Sequence, residues 1–158
     1  MSATDGVTVT TVVRVDPVTA FRVFTDDIDR WWRRGARFRP GLDRRGVLRF
    51  AEGRLVERYD EPTEGDFEVG RVLAWEPAAR LVFEWRGRDF GDGEVTEVEV
   101  VFEAVREGTR VTLVHRGWDV LPSGHPARHG LEGEAFASMV GLYWADLLVS
   151  FQRHAGGG

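Results

Sequence analysis

A long amphipathic segment near the end of the chain constrains the fold more than any other feature. The run from Leu131 to about Arg153 has no proline and only two glycines. At about 100° per residue, its apolar side chains share one face: Phe136, Met139, Val140, Tyr143, Leu147 and Phe151. The charged residues Glu132 and Asp146 fall away from that face, so a membrane span is not indicated. A helix of roughly 35 Å with one apolar stripe requires a long concave partner.

The first part of the chain predicts one strand and two short helices. Gly6–Val15 is rich in β-branched residues and predicts a strand. Asp16 followed by Pro17 is typical of a helix start, which we extend to about Thr25. A second short helix is expected to begin among the acids that follow and to end at Trp31-Trp32.

Six further strands are predicted before the long helix, because β-rich runs alternate with glycine- and proline-containing turns. These runs are Val47–Ala51, Arg54–Asp60, Phe67–Trp75, Arg80–Arg86, Glu94–Arg106 and Thr109–Arg116. Strands in series bounded by helices indicate an α+β fold with an antiparallel sheet. No linker or repeat is evident, so we expect one domain over residues 1–158.

Composition excludes several chemistries. The 158 residues contain no cysteine, and all 21 basic residues are arginine, so thiol and lysine mechanisms are unavailable. The net charge of -5 argues against nucleic-acid binding as the main role. No apolar run is long enough for stable membrane insertion, and the N-terminus does not resemble a signal peptide, so a cytoplasmic location is expected.

Three stretches carry a family resemblance: VFTDDIDRWW, GRVLAWEPAARLVFEW and EGTRVTLVHRGW. Their order and spacing resemble the AHSA1-like family (activator of Hsp90 ATPase homologue) of the START/Bet v 1-like SRPBCC superfamily. The resemblance covers the chain from Val9 to about Phe151. It departs from the family pattern at Arg45-Gly46, where a glycine pair is common, and at Tyr143-Trp144, where Gly-Trp is common.

The resemblance implies the helix-grip fold, a curved antiparallel sheet of about six or seven strands closing around the C-terminal helix. A cavity is expected between sheet and helix. Members of the superfamily bind hydrophobic molecules or act as cyclases, aromatases or hydrolases. Hsp90 activation in the family depends on more than this one domain.

Strand alternation predicts which polar side chains point towards the long helix. His115 shares a face with Val111 and Leu113, where a histidine either packs as a hydrogen-bonded core residue or anchors a ligand. Arg71 shares a face with Val69 and would require a partner such as Glu57. A bulge would instead turn Arg71 to solvent.

The predicted cavity lining combines aromatic and polar side chains. Its members are Trp31, Trp32, Glu57, Tyr59, Arg71, Trp75, Phe83, Trp85, His115, Met139 and Tyr143. Many of these aromatic residues would also suit a packed core. We predict no catalytic residue, metal ligand or cofactor.

Two further patterns favour ordinary structural roles. Eight arginines and a single acid, Asp43, lie between Arg30 and Arg49, which favours a solvated loop over an anionic-partner site. His125 and His129 have a spacing that could hold zinc on a helix, but they lie in a Pro/Gly loop without a third ligand.

Three functions remain open at this point. The first is non-enzymatic binding of a hydrophobic or amphipathic molecule in the cavity. The second is a cyclase- or hydrolase-like enzyme using His115 with Tyr143, or Glu57 with Arg71, as acid and base. The third is a chaperone-interaction module. A homodimer through an exposed strand or the Trp31-Trp32 region is also conceivable.

Overall fold

The computed structural model describes residues 6–41, 46–59 and 65–157. Asp43, Arg45 and the predicted turn at Pro62 lie outside them. Within the described residues, the strands and α-helices are β1 (Val7–Val13), α1 (Pro17–Asp26), α2 (Ile28–Trp31), β2 (Gly46–Ala51), β3 (Arg54–Tyr59), β4 (Asp66–Glu76), β5 (Arg80–Trp85), β6 (Thr96–Val105), β7 (Gly108–Arg116) and α3 (Gly133–Gln152). Two short 3-10 helices, Trp118–Val120 and Pro126–Arg128, lie between β7 and α3.

The strands form one antiparallel sheet in the order β1-β7-β6-β5-β4-β3-β2. Consecutive strands from β2 to β7 are neighbours in the sheet, and the last strand, β7, pairs with the first strand, β1. The helix α3 packs on the sheet, and α1 and α2 lie between it and the strands β2 and β6. This arrangement confirms the predicted α+β helix-grip fold, with seven strands in the described part of the chain.

The short helices begin and end as the sequence predicts. Asp16 Oδ1 accepts a hydrogen bond from the backbone N–H of Thr19 at 3.0 Å, and Pro17 occupies the first helical turn. The second helix ends at Trp31, whose indole Nε1–H donates to the Phe24 carbonyl at 3.1 Å. Trp31 and Trp32 are only 1% and 4% exposed, so this pair offers no surface for dimerisation.

Two irregularities in β4 change the predicted inward face of this strand. The register shifts once opposite β3, between Leu55 and Val56, and again opposite β5, between Val72 and Ala74. Each extra residue reverses which side chains of β4 point inward. Between the two bulges the inward and outward positions are therefore exchanged, whereas at both ends of the strand they follow the simple alternation.

Arg71 lies in that inverted middle and points to solvent. Its side chain is 67% exposed and pairs with Glu84, its Nε lying 3.1 Å from Glu84 Oε1. The predicted Glu57–Arg71 pair and the inward position of Arg71 are therefore wrong. The bulge considered as the alternative is what the structure contains.

Gly70 allows β4 to approach β5 closely beside the first bulge. A Cβ at this position would lie 1.7 Å from the carbonyl oxygen of Glu84, so only glycine allows the two strands to approach so closely. The Val69 carbonyl accepts the Arg86 N–H at 2.9 Å across the same contact.

The inward face of α3 agrees with the predicted stripe, with two additions. Its buried residues are Phe136, Val140, Trp144, Leu147, Leu148 and Phe151. Trp144 and Leu148 are buried and were not predicted, whereas Met139 and Tyr143 are partly buried at the edge of the core. Among the described helices, none is long and apolar enough to cross a membrane.

Candidate functional site

A cavity of about 420 Å³ lies between the sheet and the N-terminal half of α3. Its wall contains seven large aromatic side chains: Trp32, Phe38, Trp85, Phe90, Trp118, Tyr143 and Trp144. The loops 36–40 and 86–90 and the segment around His129 complete it, and their exposed residues mark its mouth. A mostly apolar cavity of this size with a few polar groups is typical of a small-molecule site.

Five of the predicted lining residues lie on the cavity wall. They are Trp32, Trp85, His115, Met139 and Tyr143. These come from the residue after α2 and from β5, β7 and α3, so the fold brings together side chains that are more than one hundred positions apart in the chain.

The other predicted lining residues lie elsewhere. Trp31 and Phe83 are fully buried in the packed core, and Trp75 is 44% exposed at the far end of the sheet, against Phe21. Glu57 and Tyr59 belong to a separate polar cluster, and Arg71 is at the outer surface. None of these six contributes to the cavity wall.

His115 is held as a neutral imidazole by three hydrogen bonds in series. Trp144 Nε1–H donates to His115 Nδ1 at 2.9 Å. Because an indole N–H can only donate, Nδ1 must be the acceptor and the ring proton must be on Nε2. His115 Nε2 then donates to Thr96 Oγ1 at 2.7 Å, and Thr96 Oγ1 donates to the Trp85 carbonyl at 3.0 Å.

This arrangement disfavours protonation of His115. The side chain is 1% exposed, and burial lowers its pKa from 6.5 to about 3. A proton on Nδ1 would also oppose the indole N–H of Trp144. With both ring nitrogens engaged, His115 presents its ring to the cavity but offers no free nitrogen to a ligand.

Tyr143 contributes its ring and has a weakly held hydroxyl. Its hydroxyl lies 3.5 Å from the Phe38 carbonyl, which also accepts a shorter bond of 2.9 Å from Trp32 Nε1. Burial raises the pKa of Tyr143, so the phenol remains protonated. Its ring packs against Phe38 with centroids 5.2 Å apart, which fixes the loop over the cavity.

Arg39 is the residue in this region that the sequence interpretation missed. The arginine-rich stretch was expected to be a solvated loop, yet Arg39 is only 3% exposed. Its Nη1 lies 2.8 Å from Asp29 Oδ1 and 3.4 Å from Glu57 Oε2, and its Nη2 donates to the Trp32 carbonyl at 2.8 Å. This charge-assisted set anchors the loop that forms one cavity wall.

Glu57 completes the anchor from the strand side. Its Oε1 accepts the Tyr59 hydroxyl at 2.7 Å and the Gly41 N–H at 3.0 Å. Glu57 thus points inward, as predicted, but its partner is Arg39. The polar cluster formed by Asp29, Arg39, Glu57 and Tyr59 holds this wall in place, and Arg39 is the member of the cluster that also lines the cavity.

His125 and His129 have separate positions. His125 Nε2 lies 2.7 Å from Glu94 Oε1, and its Nδ1 accepts the Ala127 N–H at 3.0 Å, so it joins two loops. His129 is exposed at the cavity mouth. Over the described ranges, no three His, Cys, Asp or Glu side chains are grouped as a metal site.

Trp118 and Trp144 were also missed as wall residues. Trp118 is the last residue of the EGTRVTLVHRGW stretch and lies just after β7. Strand alternation ends with β7, so it could not predict which way the Trp118 side chain points. It contacts His115 with ring centroids 4.4 Å apart and Phe136 at 5.0 Å. Trp144 lay outside the predicted apolar sector of α3.

The chain belongs to the family described as activator of Hsp90 ATPase homolog 1-like proteins, whose model matches residues 14–140. No curated protein matches it significantly. The family and the helix-grip fold together agree with the resemblance found in the sequence.

Solved structures support the same fold. An Hsp90 activator from Plasmodium falciparum is 18% identical with a TM-score of 0.63, and the match covers 96% of each chain. The Aha1 dimer from Colwellia psychrerythraea is 15% identical with a TM-score of 0.56, covering 93% of this chain and 92% of that one. DynU16, from the dynemicin biosynthetic locus, is 21% identical with a TM-score of 0.59, covering 95% of this chain and 46% of that one.

Proposed function

We propose that this protein binds a hydrophobic or amphipathic small molecule in the cavity under α3. The observation that carries the proposal is the contrast between an aromatic-lined void of about 420 Å³ and the closely packed core beside it. The apolar lining of the cavity is open to water at the mouth. A ligand that fills the cavity removes that apolar surface and its own from water, which favours binding.

Phenylnaphthylamine, an uncharged fluorescent probe, tests this proposal by titration. Met139→Trp places a large ring in the cavity and is expected to weaken binding at least about tenfold, which corresponds to ~1.4 kcal/mol. Leu142→Trp is the matched control, because Leu142 is 63% exposed on the same helix and is absent from the cavity wall. It is expected to bind the probe like the unmodified protein.

Two results of this titration would contradict the binding proposal. Absence of probe binding to the unmodified protein would refute the proposal, as would equal loss in both variants. Circular dichroism verifies that Met139→Trp is folded; should it not fold, Met139→Phe provides a smaller obstruction for the same comparison.

The geometry favours binding over the acid–base enzymes considered from the sequence. Glu57 points to the inner face of the sheet and pairs with Arg39, whereas Arg71 points to the outer face and pairs with Glu84. His115 and Tyr143 share the cavity, but both His115 nitrogens are committed to Trp144 and Thr96. Neither pair provides a free base beside the void.

Hsp90 activation is the second candidate, favoured by the family match and by the name of the Plasmodium falciparum structure. It is tested by measuring the ATPase rate of the Hsp90 from the same organism with and without this protein. Stimulation that persists in Met139→Trp would assign the activity to the outer surface. No stimulation would leave the cavity as the functional site.

A further inference from the structure

The two edges of the sheet differ in how their backbone groups are satisfied. At the β2 edge, the Leu48 N–H donates to Asp29 Oδ1 at 3.0 Å, and the Gly46 carbonyl accepts from Arg34 Nη1 at 2.9 Å. Side chains from α2 and the loop after it therefore cover this edge. A sheet edge with uncovered N–H and C=O groups is a template for a further strand, and these side chains oppose such pairing at β2.

The β1 edge directs the backbone groups of Thr8 and Thr10 to solvent. The Val13 carbonyl points towards β7, because a Cβ on Gly108 would lie 2.2 Å from its oxygen. Successive residues of a strand direct their backbone groups to opposite sides, so Val12, Thr10 and Thr8 face away from β7. Within the residues that the structure describes, nothing bonds to the backbone groups of Thr8 or Thr10, and both residues are exposed.

The helix α3 runs along this edge without closing it. Gln152 Nε2 donates to the Val12 carbonyl at 2.9 Å, which covers one end of the edge. A Cβ added to Gly141 would lie 3.6 Å from Val7 Cγ1, so the helix accompanies the strand to its other end. Val149, one turn before Gln152, is 40% exposed. Apolar side-chain surface therefore adjoins the free backbone groups.

The strand β1 lacks the features that keep an edge strand unpaired. Natural proteins protect sheet edges with charged side chains, proline or bulges. The strand reads VTVTTVV, with no charge, no proline and no register shift against β7. The other edge strand, β2, carries the exposed Arg49. The β1 edge is therefore suited to pairing with a strand of the same uncharged character.

We propose that two copies of this chain pair through β1 and form a dimer with one continuous sheet. Antiparallel pairing about a twofold axis at Val9 sets Thr8 of each copy opposite Thr10 of the other. Each such pair joins N–H and C=O groups that face the free edge, and the Val12 carbonyl keeps its bond to Gln152. Cross-strand threonine pairs add side-chain contacts on the outer face. No residue of β1 lines the cavity, so the dimer is independent of ligand binding.

Sedimentation equilibrium of the unmodified protein at rising concentration tests this pairing. The mass is expected to rise from the 17.8 kDa of one chain towards twice that value. Thr10→Lys places a charge beside the free edge and is expected to weaken dimerisation at least about tenfold. Val47→Lys is the matched control, because it makes the same change of charge at a 49% exposed position on the opposite edge strand. It is expected to dimerise like the unmodified protein.

Amide hydrogen exchange of the unmodified protein locates the interface without any variant. The Thr8 and Thr10 amides are expected to exchange at least about tenfold more slowly in the dimer, because pairing gives each N–H an acceptor. The two copies of Val9 form a non-hydrogen-bonded pair at the twofold axis, with Cα atoms about 4.5 Å apart. Nuclear magnetic resonance of a mixed-label dimer is expected to show a contact between their α-protons.

Three results would overturn the proposal. The first is an unmodified protein that stays at 17.8 kDa up to millimolar concentration. The second is equal weakening of dimerisation by Thr10→Lys and Val47→Lys. The third is a dimer in which the Thr8 and Thr10 amides exchange at the monomer rate, and this result decides the question should Thr10→Lys not fold.

Discussion

The two halves of α3 face the same sheet but meet different interiors. Its C-terminal half packs Phe151 against Phe24 and Trp31, with both pairs of ring centroids 5.3 Å apart. Its N-terminal half faces the cavity, where Trp85 and Tyr143 are separated by 6.3 Å. We call these the filled half and the hollow half.

The short helices account for the difference. The helix α1 places Phe21 and Phe24 beneath the C-terminal end of α3, where Phe102 of β6 meets both rings. At the other end, the loops 36–40 and 86–90 cover the space instead. The filled half therefore supplies stability, and the hollow half is available for binding.

Truncating a side chain to alanine should lower the free energy of unfolding far more in the filled half than in the hollow half. Phe24→Ala removes a fully buried ring and is expected to lower the free energy of unfolding by about 3 to 5 kcal/mol. Met139→Ala enlarges an existing void and should cost roughly 1 kcal/mol, because fewer packing contacts are lost. Urea unfolding measures both, and equal losses would remove the distinction between the halves.

Two arginines on either side of the hollow half sharpen the comparison. Arg39→Met leaves Glu57 buried without its cation and should lower the free energy of unfolding by about 3 kcal/mol. It should also weaken binding of phenylnaphthylamine, because the loop wall is released. Arg71→Met removes a solvent-screened pair and should leave probe binding unchanged. Thermal unfolding and probe titration of the two variants make the comparison.

Similar behaviour of the two arginine variants would contradict this assignment. In particular, a loss of probe binding in Arg71→Met would restore the inward orientation predicted from simple alternation.

The stability of the hollow half is expected to depend on pH through His115. The unfolded chain takes up a proton near pH 6.5, whereas the folded protein does so only near pH 3. Stability is therefore complete above pH 6.5 and falls below it, by about 1.4 kcal/mol per pH unit towards pH 3.

Urea unfolding between pH 7 and 5 checks this dependence, a range that lies mostly above carboxylate titration. His115→Gln retains an acceptor for Trp144 and a donor for Thr96 but cannot titrate in this range. Over this whole range, its free energy of unfolding should fall by about 2 kcal/mol less than that of the unmodified protein. The same slope in both proteins would exclude His115 as the cause.

The elements of the fold were accessible from the sequence because each has a local signal. The Asp16-Pro17 start, the strand alternation in β7 and the apolar stripe of α3 depend on neighbouring residues alone. His115 could be placed inward for this reason. Its tautomer could not, because Trp144 and Thr96 meet it only in three dimensions.

The cavity wall was harder to predict. Two bulges in β4 turn Arg71 to the outer face of the sheet, and nothing in the sequence indicated where these bulges would fall. Arg39 was hidden among seven other arginines of similar appearance. Its burial follows from meeting Asp29 and Glu57, which come from a helix and a strand elsewhere in the chain. Aromatic composition likewise could not separate Trp31, in the filled half, from Trp85, in the hollow half.

The six tryptophans allow the most direct measurement of the distinction between the halves. Trp32, Trp85, Trp118 and Trp144 line the cavity, whereas Trp31 and Trp75 belong to the filled half. Each indole N–H gives its own signal in a nitrogen–proton correlation spectrum, which can be followed during titration with phenylnaphthylamine. We predict shifts centred on Trp85 and Trp118, with Trp75 unchanged. Largest shifts at Trp31 and Trp75, or no shift at saturating probe, would contradict the account.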